Sequence, residues 1–598
     1  MADNYQAHST AIDIARILNE IGDMLEIKGE SSFKTRAYRR AAEALYNLPA
    51  DLTEVWRVGR LKGIPGVGDA IAGKIDELMR TGKLDFYERL VAEIPPGLIA
   101  MTRIPEVGPR TALTIYQTLG VTSLGDLEAA AREGRLRTVP GIGAKMEQRI
   151  IAGIEALHRA SDRLPIGAVL PVVRELIATL KARVPDITHI EAVGSLRRRQ
   201  PTIGDIDILV TAANPLGVVQ AFAALPQADE IISEGDTKGS IRLRNGMRVD
   251  LMVLEPARYG SLLQHFTGSR QHNIDLRNYA LHRGYMINEY GLTPVGRDHQ
   301  PSGETILCAT EAEVYGTLGL PLIPPEIREA SGEIEAAIAG RLPNLVTVGD
   351  LRGDLHMHSD WSDGVKTIEQ MARAAADLGY KYANLTDHSA SLFVANGLTI
   401  ERVRQQTEII KQLNAQFAAE GLNFRLLHGC EMEIKLDGSL DYPDEVLAEL
   451  DVVVASVHAG LRQPRAQVTA RMVGAMRNPN VDIIAHPSGR LLGQREPADL
   501  DFEQVIATAA ETGTCLEING SPDRLDLDPQ YVRWGVQAGV MFTIDSDAHH
   551  PDAFTLDAEL GVAMARRGWA EAKNILNTRP LDELLAYIDE ASRRKSKA

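Results

Sequence analysis

The chain has 598 residues, too many for one hydrophobic core and enough for about three to five domains. At 44% hydrophobic and 24% charged its composition is that of a folded protein, and a formal charge of -17 argues against a chain that coats nucleic acid everywhere, while leaving room for local basic patches. Three scattered cysteines, Cys308, Cys430 and Cys515, exclude a disulfide framework or a cysteine zinc cluster, and the lack of a basic-apolar leader or a membrane-length apolar run predicts a cytoplasmic protein with no membrane partner.

Residues 10–160 are helical in pattern. Ile14, Leu18, Ile21 and Leu25 recur at helix spacing, and "FKTRAYRRAAEALYNL" carries Lys34, Arg36, Arg39 and Arg40 on an amphipathic segment. One unit repeats: "GIPGVGDAIAGKI" at 63–75, "RIPEVGPRTALTI" at 103–115 and "TVPGIGAKMEQRI" at 138–150. Gly66 with Gly68, Gly108, and Gly141 with Gly143 let backbone amides approach a phosphate, and each following helix starts with unpaired N–H groups and a positive dipole end. A single copy reads equally well as a turn between packed helices; three copies favour a sequence-neutral grip on phosphate.

From about 165 to 255 helices alternate with β-rich runs. In "EAVGSLRRRQPTIGDIDILV", Asp205 and Asp207 leave one face of a run, and Asp250 in "MRVDLMVL" is placed to join them from a neighbouring strand. Three carboxylates holding two divalent cations suit phosphoryl or nucleotidyl transfer. The turn at Gly194 and Ser195, with Arg197, Arg198 and Arg199 after it, offers amide, hydroxyl and guanidinium donors to phosphates. A lone D-x-D is also an ordinary strand edge; the turn upstream and Asp250 downstream favour chemistry. A mixed stretch to about 320 leads into the proline-marked "LPLIPPEIREASGEIEAAIAGRLPNLV". Beyond 350 short strands alternate with alanine-rich helices, and "ASRRKSKA" at the end is expected to be a solvated tail.

In "GDLHMHSDWSDG" a strand would aim His356 and His358 to one side, and the "SDG" turn returns Asp363 toward them. "LTDHS" adds Asp387 and His388, "HGCEMEI" Glu431, "SVHAG" His458, "IIAHPSG" His486 and "IDSDAHH" Asp547 and His549. Most follow a β-rich run, where an α/β barrel presents its chemistry. Mixed imidazole and carboxylate ligation suits manganese, iron or zinc.

Residues 1–320 resemble family X DNA polymerases. The resemblance implies a nucleotidyltransferase palm in which Asp205, Asp207 and Asp250 are catalytic, and Gly194, Ser195 and Arg198 hold the incoming triphosphate. In "HFTGSRQHN" it implies that Phe266 and Gly268 line the sugar site and Asn273 reaches the minor-groove edge of the new pair, with His265 standing where the family has tyrosine. Lys74 matches the family's lyase lysine, and the repeated turns resemble helix-hairpin-helix motifs, which bind DNA backbone without reading bases. Residues 350–575 resemble the polymerase and histidinol phosphatase (PHP) domain, with His356, His358, Asp363, His388, Glu431, His458, His486, Asp547 and His549 on its metal-ligand positions.

The expected organisation is multidomain: a helical lyase-like domain at 1–90, helix-hairpin-helix fingers at 91–160, an α+β palm at 161–256, a small thumb at 257–320, a linker at 321–349, a distorted (β/α)7 PHP barrel at 350–575 and a C-terminal helix and basic tail at 576–598. The resemblance implies a monomeric gap-filling repair polymerase acting on gapped or 3′-recessed DNA with deoxynucleoside triphosphates, using Mg2+ or Mn2+ in the palm. It implies three Mn2+ or Zn2+ ions in the barrel for 3′–5′ exonuclease action by metal-activated water, with 3′-phosphatase or abasic-site incision as additional reactions. A DNA end-binding scaffold with vestigial sites and an enzyme of small phosphoesters are the alternatives. The complete aspartate and ligand sets oppose the first, and the DNA-gripping front half opposes the second.

Overall fold

The computed structural model describes residues 11–597 except 47–51, 58, 65, 103, 105 and 162. The start of the expected first domain, Pro65, Arg103 and Pro105 of the repeated unit, and the last residue of the expected tail therefore lie outside the described residues. The chain forms two compact units that divide at residues 162–163.

The first unit is helical. Helix α1 (Ala11–Ile27) buries Ile14, Leu18, Ile21 and Leu25, the stripe its spacing predicts, against α2 (Ser32–Tyr46). The repeated motif has one geometry in three places. The amides of Val67, Val107 and Ile142 donate to the carbonyls of Ile64, Ile104 and Val139 at 3.0, 3.0 and 3.1 Å. Helices α3 (Asp69–Thr81), α4 (Pro109–Leu119) and α5 (Ala144–Ser161) follow the turns. Val67, Val107 and Ile142 are buried, so each turn is pinned from beneath while its glycines face outward.

The second unit opens with α6 (Ile166–Arg183), then a five-stranded sheet of β1 (Ile187–Ala192), β2 (Ile206–Ala212), β3 (Ala228–Glu234), β4 (Lys238–Leu243) and β5 (Arg248–Leu254), in the order β1-β2-β5-β4-β3. Only β2 and β5 run parallel; their register sets Asp207 opposite Asp250. The short α7 (Gly194–Arg197) links β1 toward β2, and α8 (Pro215–Ala223) covers one face through Val218, Val219 and Phe222. The thumb region contains α9 (Tyr259–Thr267), α10 (Arg270–His282) and α11 (Glu311–Thr317). The proline-marked segment is firmly packed: Ile323, Ile327, Ile334 and Leu345 share the thumb core with Trp569.

Seven parallel strands in sequential order make the barrel sheet: β6 (Gly353–Met357), β7 (Tyr382–Leu385), β8 (Arg425–Glu433), β9 (Val452–Ser456), β10 (Ile483–Ile484), β11 (Cys515–Asn519) and β12 (Phe542–Asp545). Backbone bonds from Asp547 to His356 and from His358 to Ala548, both 2.9 Å, bring the ends of the sheet together. The strands are buried on both faces, as parallel strands between helices must be. Of the surrounding helices, α12 (Ile368–Asp377), α13 (Ile400–Ala419), α14 (Arg465–Arg477), α15 (Phe502–Thr512) and α16 (Pro529–Ala538) precede α17 (Ala553–Arg567) and α18 (Leu581–Lys595).

The solvated tail is corrected. The helix runs through Lys595: Leu584, Ile588 and Ala591 continue one buried apolar stripe, and Lys595 on the same face is buried with its ammonium donating to the Val481 carbonyl, while Arg593, Arg594, Ser596 and Lys597 are exposed. Palm and barrel share a hydrophobic core, and Gly167 lies so close to Pro522 that a Cβ on it would stand 2.2 Å from the proline Cβ. All three cysteines are free and buried, and among the described residues no helix is long and apolar enough to cross a membrane.

Candidate active sites

The palm site begins with the register of β2 and β5. Asp207 and Asp250 are paired across it, and exposed Asp205 lies two residues before Asp207. Burial, then repulsion from Asp205 and Asp250, pushes the Asp207 carboxyl up to about 6, against a smaller pull from Arg248. Such a cluster fits divalent cations, which would relieve the repulsion. Gly194 takes φ +64, and a Cβ there would be 3.5 Å from Asp207 Oδ2, so the turn rides directly over the carboxylate. Ser195 Oγ is buried without a hydrogen-bond partner, so its hydroxyl can donate to an anionic oxygen.

The three arginines after the turn do not all face phosphate, which corrects the expectation for two of them. Arg197 donates to Glu191 at 2.6 Å, Glu311 at 2.7 Å and Thr267 Oγ1 at 2.7 Å, and Arg199 pairs with Glu559 at 2.9 Å. Their carboxylate partners on β1, α11 and α17 outcompete any role at the turn. Arg198 uses Nε on Glu329, at 2.9 Å, and Nη1 on the Thr267 carbonyl, leaving Nη2 for a ligand.

Residues 265–273 adjoin this turn. His265 meets Phe266 edge-on at 5.3 Å, and Gly268, at φ +69, leaves room for the Arg198 guanidinium, whose Nη1 would be 3.1 Å from a Cβ there. Asn273 is turned inward: its Nδ2 donates to the His265 carbonyl at 2.7 Å and its Oδ1 accepts from Gln264 at 2.8 Å. In the first unit, Lys74 Nζ lies 4.7 Å from the Phe86 ring centre and 5.9 Å from that of Tyr38; burial lowers its pKa, with Lys34 adding to the effect and Glu77 opposing it. The turn glycines Gly68, Gly108, Gly141 and Gly143 have open space where a Cβ would be, whereas Gly66 packs on Arg40. Gly66 and Gly141 have φ +81 and +90; the middle copy places Glu106 there at φ +75.

The barrel site is assembled at the strand ends. His356 lies on β6 and Glu431 on β8; His358, His388, His458, His486, Asp547 and His549 follow β6, β7, β9, β10 and β12, and Asp363 returns in the loop after β6. They form three overlapping groups: His358, Asp363, His388 and His549; His356, His358, Glu431 and Asp547; and His388, Glu431 and His458. His486 joins through Nε2, 2.9 Å from Glu431 Oε1. Imidazole atoms His356 Nε2, both nitrogens of His358 and His388 Nδ1 are buried without a hydrogen-bond partner, as is Glu431 Oε2. Buried lone pairs converging on one carboxylate fit cations.

Electrostatics carries the same signature. Burial, helped by His549 and His388, lowers His358 to about 4; around His388, Glu431 and Asp363 overcome burial and raise it to about 10. Asp547 and His486 hold left-handed backbone, φ +56 and +27, so the fold stores strain at two ligand positions.

Sequence reasoning missed the groups behind these residues. Glu517 on β11 accepts from His356 Nδ1 at 2.6 Å and from the His486 amide at 2.6 Å, so the remaining strand also serves the site. Glu433 meets His458 Nδ1 at 2.8 Å, and Arg524 pairs with Asp547 at 3.3 Å. The alternation of Glu431 with Glu433, and the strand-end position of Glu517, were the available signals. Asp387 instead braces the Asp363 loop, accepting from Ser359 and Ser362.

The chain matches a helix-hairpin-helix domain at 10–84, a SAM-like helix-hairpin-helix tandem at 98–156, a DNA polymerase beta thumb at 262–329 and a PHP domain at 354–521. It is 24% identical over 351 residues to DNA polymerase lambda of Rattus norvegicus, covering 55% of this chain and 57% of that protein. A probable phosphatase of Caldanaerobacter subterraneus is 28% identical over 213 residues, 33% of this chain and 75% of that protein. The DNA polymerase/3′-5′ exonuclease PolX of Bacillus subtilis is 39% identical over 581 residues, 96% of this chain and 99% of that protein. With similarity sustained from the helical turns through both carboxylate centres, the chain belongs to the PolX family of DNA polymerase/3′-5′ exonucleases.

Proposed function

We propose that this protein fills short gaps during DNA repair and removes nucleotides from 3′ ends, using separate centres for the two reactions. The observation that carries this reading is the presence, in one compact unit, of two centres suited to cations: the Asp207–Asp250 pair beneath a glycine turn, and the barrel cluster around Glu431.

In the palm, Asp205, Asp207 and Asp250 would hold Mg2+ or Mn2+, while Gly194, Ser195 and Arg198 grip the triphosphate. His265, Phe266 and Gly268 border the deoxyribose, and Asn273 must exchange its inward bonds to reach a base pair. In the barrel, His356, His358, Asp363, His388, Glu431, His458, His486, Asp547 and His549 would hold three Mn2+ or Zn2+ ions. When bound, divalent cations supply Lewis-acid polarisation and charge neutralisation at both centres. Gly66, Gly68, Gly108, Gly141 and Gly143 bring backbone amides to DNA phosphates. Lys74 serves as the amine that condenses with an abasic sugar, its lowered pKa favouring the nucleophilic form; borohydride trapping by wild type but not Lys74→Ala tests this.

The deciding experiment incubates a 3′-recessed DNA with wild type, His356→Ala, His358→Ala, Asp205→Ala and Asp207→Ala proteins, with and without nucleotides. Either histidine variant should abolish degradation and spare extension; either aspartate variant should do the reverse and keep DNA affinity. A folded His356→Ala protein that degrades primers at the wild-type rate removes the barrel as the nuclease. Extension surviving both aspartate variants removes the palm assignment.

A further inference from the structure

The barrel reaches into the triphosphate turn of the palm. Arg567, the last residue of α17, donates through Nη1 to the Arg198 carbonyl at 2.7 Å and to Glu329 Oε1 at 3.1 Å. The same oxygen of Glu329 accepts from Arg198 Nε at 2.9 Å and from Gln200 Nε2 at 2.6 Å. One carboxylate oxygen therefore gathers two donors from the segment just after the turn and one from the barrel. The Arg567 side chain is only 10% exposed.

We propose that Arg567 is a positioning residue for polymerisation: with Glu329 it presets the Arg198 guanidinium, so the barrel completes the triphosphate-binding turn of the palm. Arg567 anchors Arg198 at its backbone and Glu329 anchors it at Nε. Nη1 is fixed by the Thr267 carbonyl, and Nη2 is left in a defined direction. A guanidinium held in this way binds phosphate without first losing rotamer freedom.

A plain fastening role for Arg567 accounts for less. Arg566–Glu326, Arg174–Glu559 and Arg199–Glu559 already join α17 to its neighbours, and none of those pairs includes Arg198. Arg567 alone among these barrel residues bonds the backbone of Arg198 and shares its carboxylate partner. The α17 helix starts four residues after His549 and runs roughly 20 Å to Arg567, so its far end can be altered without touching the barrel ligands.

The inference rests on Arg198 as a triphosphate ligand, and the test separates the two ideas. Full-length wild type, Arg567→Ala, Arg567→Lys and Arg198→Ala are compared for KM and kcat in gap filling, for 3′-end degradation and for melting temperature. Because Arg198 holds the triphosphate alike before and during transfer, Arg567→Ala should raise the nucleotide KM about fivefold with kcat little changed. Arg567→Lys should recover part of that loss, and degradation should match wild type. Wild-type KM in Arg567→Ala overturns the proposal if Arg198→Ala raises KM. Wild-type KM in Arg198→Ala overturns the reading of Arg198, and the proposal with it. A parallel fall of both activities in Arg567→Ala, with normal Glu329→Gln kinetics, also overturns it. If Arg567→Ala does not fold, Glu329→Gln carries the test with the same KM-only change expected, and wild-type KM in that variant overturns it.

Discussion

His356 and Glu517 face each other at 2.6 Å through Nδ1 and Oε1, both side chains completely buried. This contact fixes which imidazole nitrogen faces Glu431 and Asp547, since the other is committed to the carboxylate.

Glu517→Gln keeps the shape but weakens the hold on the imidazole. It is expected to lower 3′-end degradation or metal affinity by about 10- to 100-fold while leaving primer extension intact. Metal content and degradation rate, measured together on one preparation, check this; unchanged values in both would make Glu517 an ordinary core residue.

Asp207 predicts a trade between stability and chemistry. Its folded pKa of about 6 lies above the unfolded value, so its favourable contribution is complete below about pH 4 and disappears as pH rises through 6. At pH 8 the ionised group costs the metal-free fold about 3 kcal/mol. In chelator, Asp207→Asn should melt roughly 3 °C above wild type at pH 8, with the gap closing near pH 4. Equal melting at pH 8 contradicts the crowded carboxylate cluster.

Glu106 occupies a glycine position in the middle hairpin turn, at φ +75, and pairs with Arg149 at 2.7 Å on an exposed surface. Glu106→Gly relieves backbone strain of about 1 kcal/mol and removes a negative charge from a turn proposed to face DNA phosphate. DNA affinity should rise about threefold or more in low salt, with the gain shrinking in high salt. Anisotropy titrations at two ionic strengths measure it; no change at either would mean that this copy does not touch DNA.

With His265 at the proposed sugar border, His265→Tyr should add bulk there and tighten rejection of ribonucleotides by about tenfold. Insertion of matched deoxy- and ribonucleotides by both proteins is the measure. Equal discrimination would transfer the gating role to backbone, where the His265 carbonyl is held by Asn273.

What the sequence made legible was set by local rules. The glycine turns precede helices, the histidines and aspartates sit at strand ends, and the β2–β5 register brings Asp207 to Asp250. What stayed hidden depended on distant pairing. Arg197 meets Glu311 and Arg567 meets Glu329, partners that no spacing connects. Asn273 turns inward because Gln264 and the His265 carbonyl satisfy its amide. The burial of Lys595 at the basic end of α18 follows from the apolar stripe of Leu584, Ile588 and Ala591 and from the Val481 carbonyl, a partner more than a hundred residues away.

The close seat of Gly167 on Pro522, within a core continuous from palm to barrel, makes the two catalytic regions one mechanical body. Cutting the chain near residue 350 would therefore bare apolar surface on both fragments, and point substitutions are the cleaner way to part the activities.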